Sequence, residues 1–314
     1  MPKPLFLYAT GTAFFTNVMG MPISPIGTSA ATIERAGRKF YFNGQVTDDP
    51  FWRMLDEQVW DARKINYAAA TFPMNSSLAD GRNIARAHIQ SVPLGTPIVL
   101  GGYSQGAALM SMIYNDLRTG PLTARLPDFK GAVLFGNPMR QRDFTAPDAP
   151  WSGCWDVPGS DTGGSGSFPT RLTDCEFGLW REYANVDDII TSTGTSPLGA
   201  GWRAAVGILT GLVDPLSAIA SLAPDLLAGI FGAPGTPGAL AIGDFGHVRY
   251  PRYPPLTDRD DTFPAGAETV YDLALDFIDE IAAEVYTEPI LAPSDPLVAR
   301  PWTTVRPIPN RSPA

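Results

Sequence analysis

The sequence predicts an α/β fold in which a central, mostly parallel sheet is covered by helices on both faces. Three observations predict it. Short apolar runs at residues 5–9, 98–100 and 130–135 alternate with segments of helical periodicity, the pattern of parallel strands joined by crossover helices. Residues 97–110, Pro-Ile-Val-Leu-Gly-Gly-Tyr-Ser-Gln-Gly-Ala-Ala-Leu-Met, read as strand, sharp turn and helix in succession. The chain's 314 residues, 44% of them hydrophobic, suffice for one large domain with additions.

In chain order, residues 5–9 read as a buried strand with Thr10-Gly11-Thr12 turning at its end. Residues 20–39, broken by Pro22, Pro25 and Gly27, read as a covering loop with room for one short helix. A brief strand at 40–42 precedes the Asn43-Gly44 turn. Asp48-Asp49-Pro50 then announces a helix with Phe51, Met54, Leu55 and Val59 as its inward stripe. Residues 65–70 are the next candidate strand, 78–92 a helix, and 98–100 the central strand. The following helix runs to about Arg118 and stops at Gly120-Pro121. Residues 130–135 are a strand, apolar after Lys130, ending in Gly136-Asn137-Pro138, and 177–183 another strand with Asn185-Val186-Asp187-Asp188 past its carboxyl end.

A long detour follows. Between Trp202 and Gly243 the only charged residues are Arg203, Asp214 and Asp225, while Pro215, Pro224, Pro234 and Pro237 break the stretch into short helices. A mobile apolar cover is the expectation, against a helical addition packed rigidly as core. Val270, Leu273, Ala274, Phe277, Ile278 and Ile281 give a closing amphipathic helix. The expected organisation is a domain over 1–288, including a helical insertion at 191–243, and a proline-rich tail over 289–314.

The chemistry is concentrated at Gly102-Tyr103-Ser104-Gln105-Gly106, the pattern of a nucleophile elbow. Glycines two before and two after the serine allow the tight turn, since a side chain at either place would strike the neighbouring strand or helix. A serine hydroxyl needs a base, and the base an orienting acid. Only His88 and His247 are available as the base. His88 precedes the elbow on a helical surface pattern, whereas His247 follows it, as the order Ser, acid, His requires. Asp187 and Asp188 both lie at the carboxyl end of a strand, where catalytic groups belong, and position alone does not choose between them.

Composition removes several function classes. A net charge of -9 with no basic stripe argues against a nucleic-acid partner. No run reaches the ~18 apolar residues of a membrane span, so stable membrane insertion is not expected. The first residues run into a strand without the apolar region and cleavage site of a signal peptide. Cys154 and Cys175 bracket a Gly/Ser-rich loop and, without nearby histidines, make no ordinary zinc site; a disulfide closing the loop is the expectation.

With these residues placed, the chain resembles the mycobacteriophage lysin B family, mycolylarabinogalactan esterases that are α/β hydrolases related to cutinases. The resemblance rests on Phe72-Pro73-Met74, the elbow through Ala107, Gly136-Asn137-Pro138-Met139-Arg140-Gln141, Arg181-Glu182-Tyr183-Ala184 with Asp188, and His247 followed by Arg252-Tyr253-Pro254. It implies Ser104 as nucleophile, His247 as base and Asp188 as acid, with Asp187 standing where family members usually carry glycine. Thr10-Gly11-Thr12 is similar to the family's oxyanion loop, with Thr10 departing from its Arg or His. Thr12 and the backbone N–H of Gln105 are therefore the expected oxyanion donors.

The detour looks like the family's lid or linker, with Leu226, Leu227, Ile230 and Phe231 as its substrate-binding residues. The implied substrate is a mycolyl-arabinogalactan ester or another lipid ester, with no metal, cofactor or protein partner. The resemblance further implies synthesis in an infected host's cytoplasm and release at lysis. The competing expectations are a cutinase-like lipase or polyesterase acting on other long-chain esters, and an inactive cell-wall-binding homologue.

Overall fold

The structure, a computed structural model, describes residues 2–12, 17–18, 21–22, 31–35, 37–42, 49–70, 74–146, 156, 163–175, 178–186, 188–213, 247, 250 and 269–287. Strands in chain order are β1 (Leu5–Ala9), β2 (Asn17–Val18), β3 (Met21–Pro22), β4 (Ala31–Arg35), β5 (Arg38–Phe42), β6 (Asp61–Lys64), β7 (Ile98–Tyr103), β8 (Phe129–Phe135) and β9 (Trp180–Tyr183). The helices are α1 (Met74–Ser91), α2 (Gln105–Thr119), α3 (Pro197–Leu209) and α4 (Val270–Thr287). Five strands form one parallel sheet in the order β6-β1-β7-β8-β9, the arrangement expected of an α/β fold.

The apolar strands have no polar face because both faces of the sheet are covered. Along β1, Leu5, Leu7 and Ala9 enter one core cluster while Phe6 and Tyr8 enter the other. The same period of two divides Ile98 and Leu100 from Val99, and Ala132 and Leu134 from Val133 and Phe135. The first cluster is closed by Leu78 of α1, Leu109 and Ile113 of α2, and Trp202 of α3. Across the sheet, Tyr271, Leu275 and Ile278 of α4 pack with Phe51.

Polar contacts fix how the helices sit. Arg82 and Arg86 of α1 both grip Asp116 of α2, through four hydrogen bonds of 2.5–2.8 Å. Burial alone would raise the Asp116 carboxyl, but the two guanidinium groups outweigh it and hold it below its ordinary value. Helix α3 opens on Ser196, whose hydroxyl accepts from the Gly199 N–H at 3.0 Å, with Pro197 at its first position. Helix α4 opens on a reciprocal cap: the Thr269 N–H donates to Asp272 at 2.9 Å and the Asp272 N–H to the Thr269 hydroxyl at 3.3 Å.

Several expectations are corrected. The helix expected from Phe51 is a single 3-10 turn over Phe51–Arg53. Phe51, Met54 and Leu55 are buried as their spacing predicts, but the chain reaches edge strand β6 by residue 61, leaving no length for a helix. The strand expected at 65–70 lies earlier, at 61–64, with only the Ile65 N–H continuing the ladder onto Tyr8 at 2.7 Å. Within the expected covering loop, β4 and β5 form an antiparallel hairpin.

The disulfide is not present: Cys175 is a free, buried thiol, and Cys154 lies outside the described residues. The opening of the detour is core rather than mobile cover, since Trp202, Ala205 and Val206 of α3 are buried and the Trp202 indole donates to the Ile189 carbonyl at 2.7 Å. Residues 214–246 and the 289–314 tail lie outside the described residues. Among the described residues, no helix is long and apolar enough to cross a membrane.

Candidate active site

Strand β7 delivers Ser104 directly into α2. The serine has φ 54° and ψ -123°, a conformation costly for any residue with a side chain. Strand and helix hold it there: the Ser104 N–H donates to the Phe135 carbonyl at 2.9 Å, and its carbonyl accepts from Ala108 at 3.1 Å. The flanking glycines are explained by contact. A Cβ on Gly106 would lie 2.0 Å from the Ala9 carbonyl oxygen, and one on Gly102 would lie 2.7 Å from the Gly106 backbone. Helix and strand touch too closely for any side chain at either place.

The three residues expected to act together meet. The Ser104 hydroxyl lies 2.9 Å from His247 Nε2, and His247 Nδ1 lies 2.8 Å from Asp188 Oδ2. A carboxylate only accepts, so the partner of Nδ1 places the imidazole proton there and leaves the Nε2 lone pair facing the serine. Asp188 is fully buried, and two further donors reach it. Tyr250 donates its hydroxyl to Oδ2 at 2.7 Å, and the Ile190 N–H donates to Oδ1 at 2.8 Å. Exposure rises along the relay from 0% at Asp188 through 2% at His247 to 6% at Ser104, so the serine is the end that meets solvent. Asp187 lies outside the described residues, as do Leu226, Leu227, Ile230 and Phe231. His88 sits on α1, partly exposed, with its Nδ1 3.4 Å from Arg63 and away from the relay.

At the end of β1, the Thr12 hydroxyl donates to Gln105 Oε1 at 3.0 Å, and Gln105 Nε2 donates to the Ala70 carbonyl at 3.1 Å. These bonds tie the first residue of α2 to the loops around it. The Gln105 backbone N–H stands at the helix start, where no preceding turn supplies an acceptor. Oriented N–H groups at a helix start favour negative charge.

Sequence reasoning missed the supports of this relay. Tyr250, three residues beyond the base, both donates to Asp188 and accepts from the Asn185 N–H at 3.0 Å. Burial and the Asp188 carboxylate raise its phenol well above the ordinary value, keeping it a donor. Tyr103 donates to the His247 carbonyl at 2.5 Å and so docks the base onto the elbow strand.

The Gly-Asn-Pro-Met-Arg-Gln block is a clamp. Arg140, fully buried, donates to the carbonyls of Thr191 at 2.7 Å, Phe144 at 2.9 Å and Gly163, fixing the loop that carries Asp188. Asn137 joins Ser111 of α2 at 2.9 Å to Glu182 of β9 at 3.4 Å. Burial pushes the Glu182 carboxyl up to about 8, despite the opposing pull of the Trp180 indole, Arg140 and Asn137. The block's unusual sequence was the available signal; Tyr250 offered none. Among the described residues, no group of His, Cys, Asp and Glu side chains could hold a metal ion.

Comparison with known proteins adds the following. A family model described as Cutinase matches residues 31–196, over half of the chain. A probable carboxylesterase, Culp3, of Mycobacterium tuberculosis is 37% identical over 86 residues, covering 24% of this chain and 32% of that protein. The chain thus spans about a third of the length of the curated relatives it matches. Among solved structures, lysin B from Mycobacteriophage D29 is similar with a TM-score of 0.45 and 21% identity, covering 79% of this chain and 97% of that one. A cutinase-like protein from Cryptococcus sp. is similar with a TM-score of 0.37 and 16% identity, covering 67% and 91%.

Proposed function

Since the chain belongs to the cutinase family, we propose that it is a serine esterase with Ser104 as nucleophile, His247 as base and Asp188 as orienting acid. The observation that carries this reading is the unbroken line from the strained Ser104 through His247 to a buried Asp188 that two further donors hold. Ser104 Oγ attacks the ester carbonyl carbon while its proton passes to His247 Nε2. The Gln105 backbone N–H stabilises the oxyanion, with Thr12 contributing through its main chain because its hydroxyl is committed to Gln105, an arrangement worth ~3 kcal/mol per donor in well-studied cases. The imidazolium returns its proton to the leaving alkoxide, and water activated by His247 frees the acyl group.

The finer reading is that the ester joins mycolic acids to arabinogalactan, and that the enzyme reaches the cell envelope on release at phage-induced lysis. It is supported by the sequence blocks shared with lysin B and by the length of chain between acid and base. Within that stretch, Leu226, Leu227, Ile230 and Phe231 are assigned to the acyl chain. Replacing them by polar residues lowers the ratio of long-chain to short-chain rate constants, because remote binding energy acts only where the protein touches the chain.

The decisive experiment supplies a short chromogenic ester and mycolyl-arabinogalactan to the parent and to Ser104→Ala. Hydrolysis of both by the parent alone is expected. Turnover of the short ester without release of mycolic acids would remove the substrate and keep the esterase. Retained turnover in a folded Ser104→Ala would remove the esterase assignment itself.

A further inference from the structure

Residues 65–70, which leave β6 toward α1, reach the loop after β1 at two points. The Tyr67 hydroxyl donates to the Thr10 carbonyl at 2.8 Å. The Ala70 carbonyl accepts from Gln105 Nε2, whose partner atom Oε1 accepts from the Thr12 hydroxyl. The loop is therefore held at Thr10 by a phenol and at Thr12 by an amide, and both holds trace back to one short stretch.

That stretch is itself fixed. The Ala70 N–H donates to Ser77 Oγ of α1 at 3.0 Å. The Tyr67 ring is seated on α1 at Gly81, where a Cβ would come within 3.0 Å of it. Burial raises the Tyr67 phenol well above its ordinary value, so it stays a donor.

Backbone strain marks the same place. Among the described residues, the non-glycines with positive φ are Ala69, Ser104, Asp143 and Asp174. Asp143 and Asp174 are exposed aspartates, a residue type that tolerates this conformation. The buried two are Ser104, at φ 54°, and Ala69, at φ 49°. Strain of this kind persists where surrounding bonds over-determine it, and the Ser77 and Gln105 bonds hold both polar groups of the residue that follows Ala69.

The Thr10 carbonyl is caught between two surfaces. A Cβ on Gly106 would lie 2.6 Å from its oxygen, so the first turn of α2 underlies it while Tyr67 caps it. A peptide unit is planar, so fixing that carbonyl also fixes the direction of the Gly11 N–H. With Thr12 moored at its hydroxyl, the intervening Gly11, whose backbone would otherwise turn freely, is constrained at both ends.

We propose that Tyr67 is a positioning residue of the oxyanion site: its hydroxyl holds the Thr10 carbonyl so that the main chain at Thr12 is set toward the developing oxyanion before substrate arrives. It acts through the loop and not on the reacting atoms. The proposal rests on the esterase reading and adds to it what keeps the loop after β1 in place.

The test is Tyr67→Phe, which keeps the ring on Gly81 and removes only the donor. With a short chromogenic ester, kcat falls roughly tenfold, less than the ~10²–10³ lost when an oxyanion donor is deleted outright, and KM is unchanged. The pH midpoint of kcat, which reports the base, stays at the parent's value. A short alkyl trifluoromethyl ketone gives the readout that packing alone does not move. Ser104 Oγ adds to its carbonyl carbon, the carbonyl π pair becomes the oxyanion, and the serine proton passes to His247. Its inhibition constant rises about tenfold in Tyr67→Phe, while that of the matching methyl ketone, which stays trigonal, does not change. Inhibition constants do not depend on the active fraction, so partial unfolding of the variant cannot mimic this result.

Equal weakening of both ketones would show that the hydroxyl serves packing, and a shifted pH midpoint would place it with the triad; either overturns the proposal. Parental kcat in Tyr67→Phe, beside parent turnover that Ser104→Ala abolishes, overturns this proposal alone. Parent turnover that survives Ser104→Ala removes the esterase reading and this proposal with it.

Discussion

Removing the Tyr250 hydroxyl separates the supports of the relay from the relay itself. In Tyr250→Phe the ring keeps its place against Tyr103 and Phe135, while the group that joins Asp188 to Asn185 is lost. A hydrogen bond to a charged group is worth ~1.5–3 kcal/mol, and stranding the buried Asn185 N–H costs ~1–3 kcal/mol more where water cannot reach it. Asp188 retains two of its three donors, the His247 imidazole and the Ile190 N–H. A stability loss of ~2.5–6 kcal/mol follows, which lowers the melting temperature by about 5–15 °C in a domain of this size.

The catalytic loss is smaller. Asp188 still orients the imidazole, and only the part of the lost bond that tightens as His247 takes up the serine proton is felt in the chemical step. The expected fall in kcat is about tenfold, equivalent to ~1.4 kcal/mol, with KM for a short chromogenic ester unchanged. The assay pairs steady-state kinetics with thermal unfolding of the same preparation. A variant melting several degrees lower with unaltered kcat would show that Tyr250 only packs. A rise in KM with kcat intact would place it in substrate binding instead. Either result refutes the reasoning.

Other outcomes follow from the same contacts. Asp188→Asn lowers turnover by ~10⁴, as loss of the orienting carboxylate does in a well-studied serine triad, and Asp187→Asn costs little; if Asp187→Asn is the worse variant, the acid is misassigned. Because Glu182 is raised to about 8 in the folded protein, it binds its proton more tightly folded than unfolded. Its stabilising contribution is therefore complete below about pH 4 and is lost as pH rises through about 8. Thermal unfolding across that window shows the melting temperature falling with pH in the parent and falling less in Glu182→Gln; identical slopes would contradict the assignment.

What was legible in the sequence is what short-range chemistry determines. Strands β1, β7 and β8 read as apolar runs because both faces of the sheet are covered, and Ser104 was marked by two glycines whose Cβ atoms would collide with backbone. Order along the chain then named His247. The 51–59 segment misled because Phe51, Met54 and Leu55 are buried at helical spacing in a stretch that a distant contact anchors: Asp49 accepts from Tyr8 of β1 and from Tyr271 of α4 at 2.7 Å. Position 271 lies 222 residues away, beyond the reach of any local pattern. The β4–β5 hairpin was obscured by the prolines and glycine preceding it. Arg140 acts through backbone carbonyls of remote loops, which leave no trace in the amino-acid alphabet, and Tyr250 bonds to Asp188 and Asn185, which lie 62 and 65 residues away.

The attachment of His247 to Tyr103 bears on how such an enzyme diversifies. The base is moored at its own carbonyl to the strand that ends in the nucleophile, and at its ring to Asp188. Its place is thus specified by partners on β7 and on the loop after β9. A lineage, or an engineer, that keeps Tyr103 and Asp188 keeps both moorings of the base, and with them the reacting geometry, whatever is altered outside the packed core.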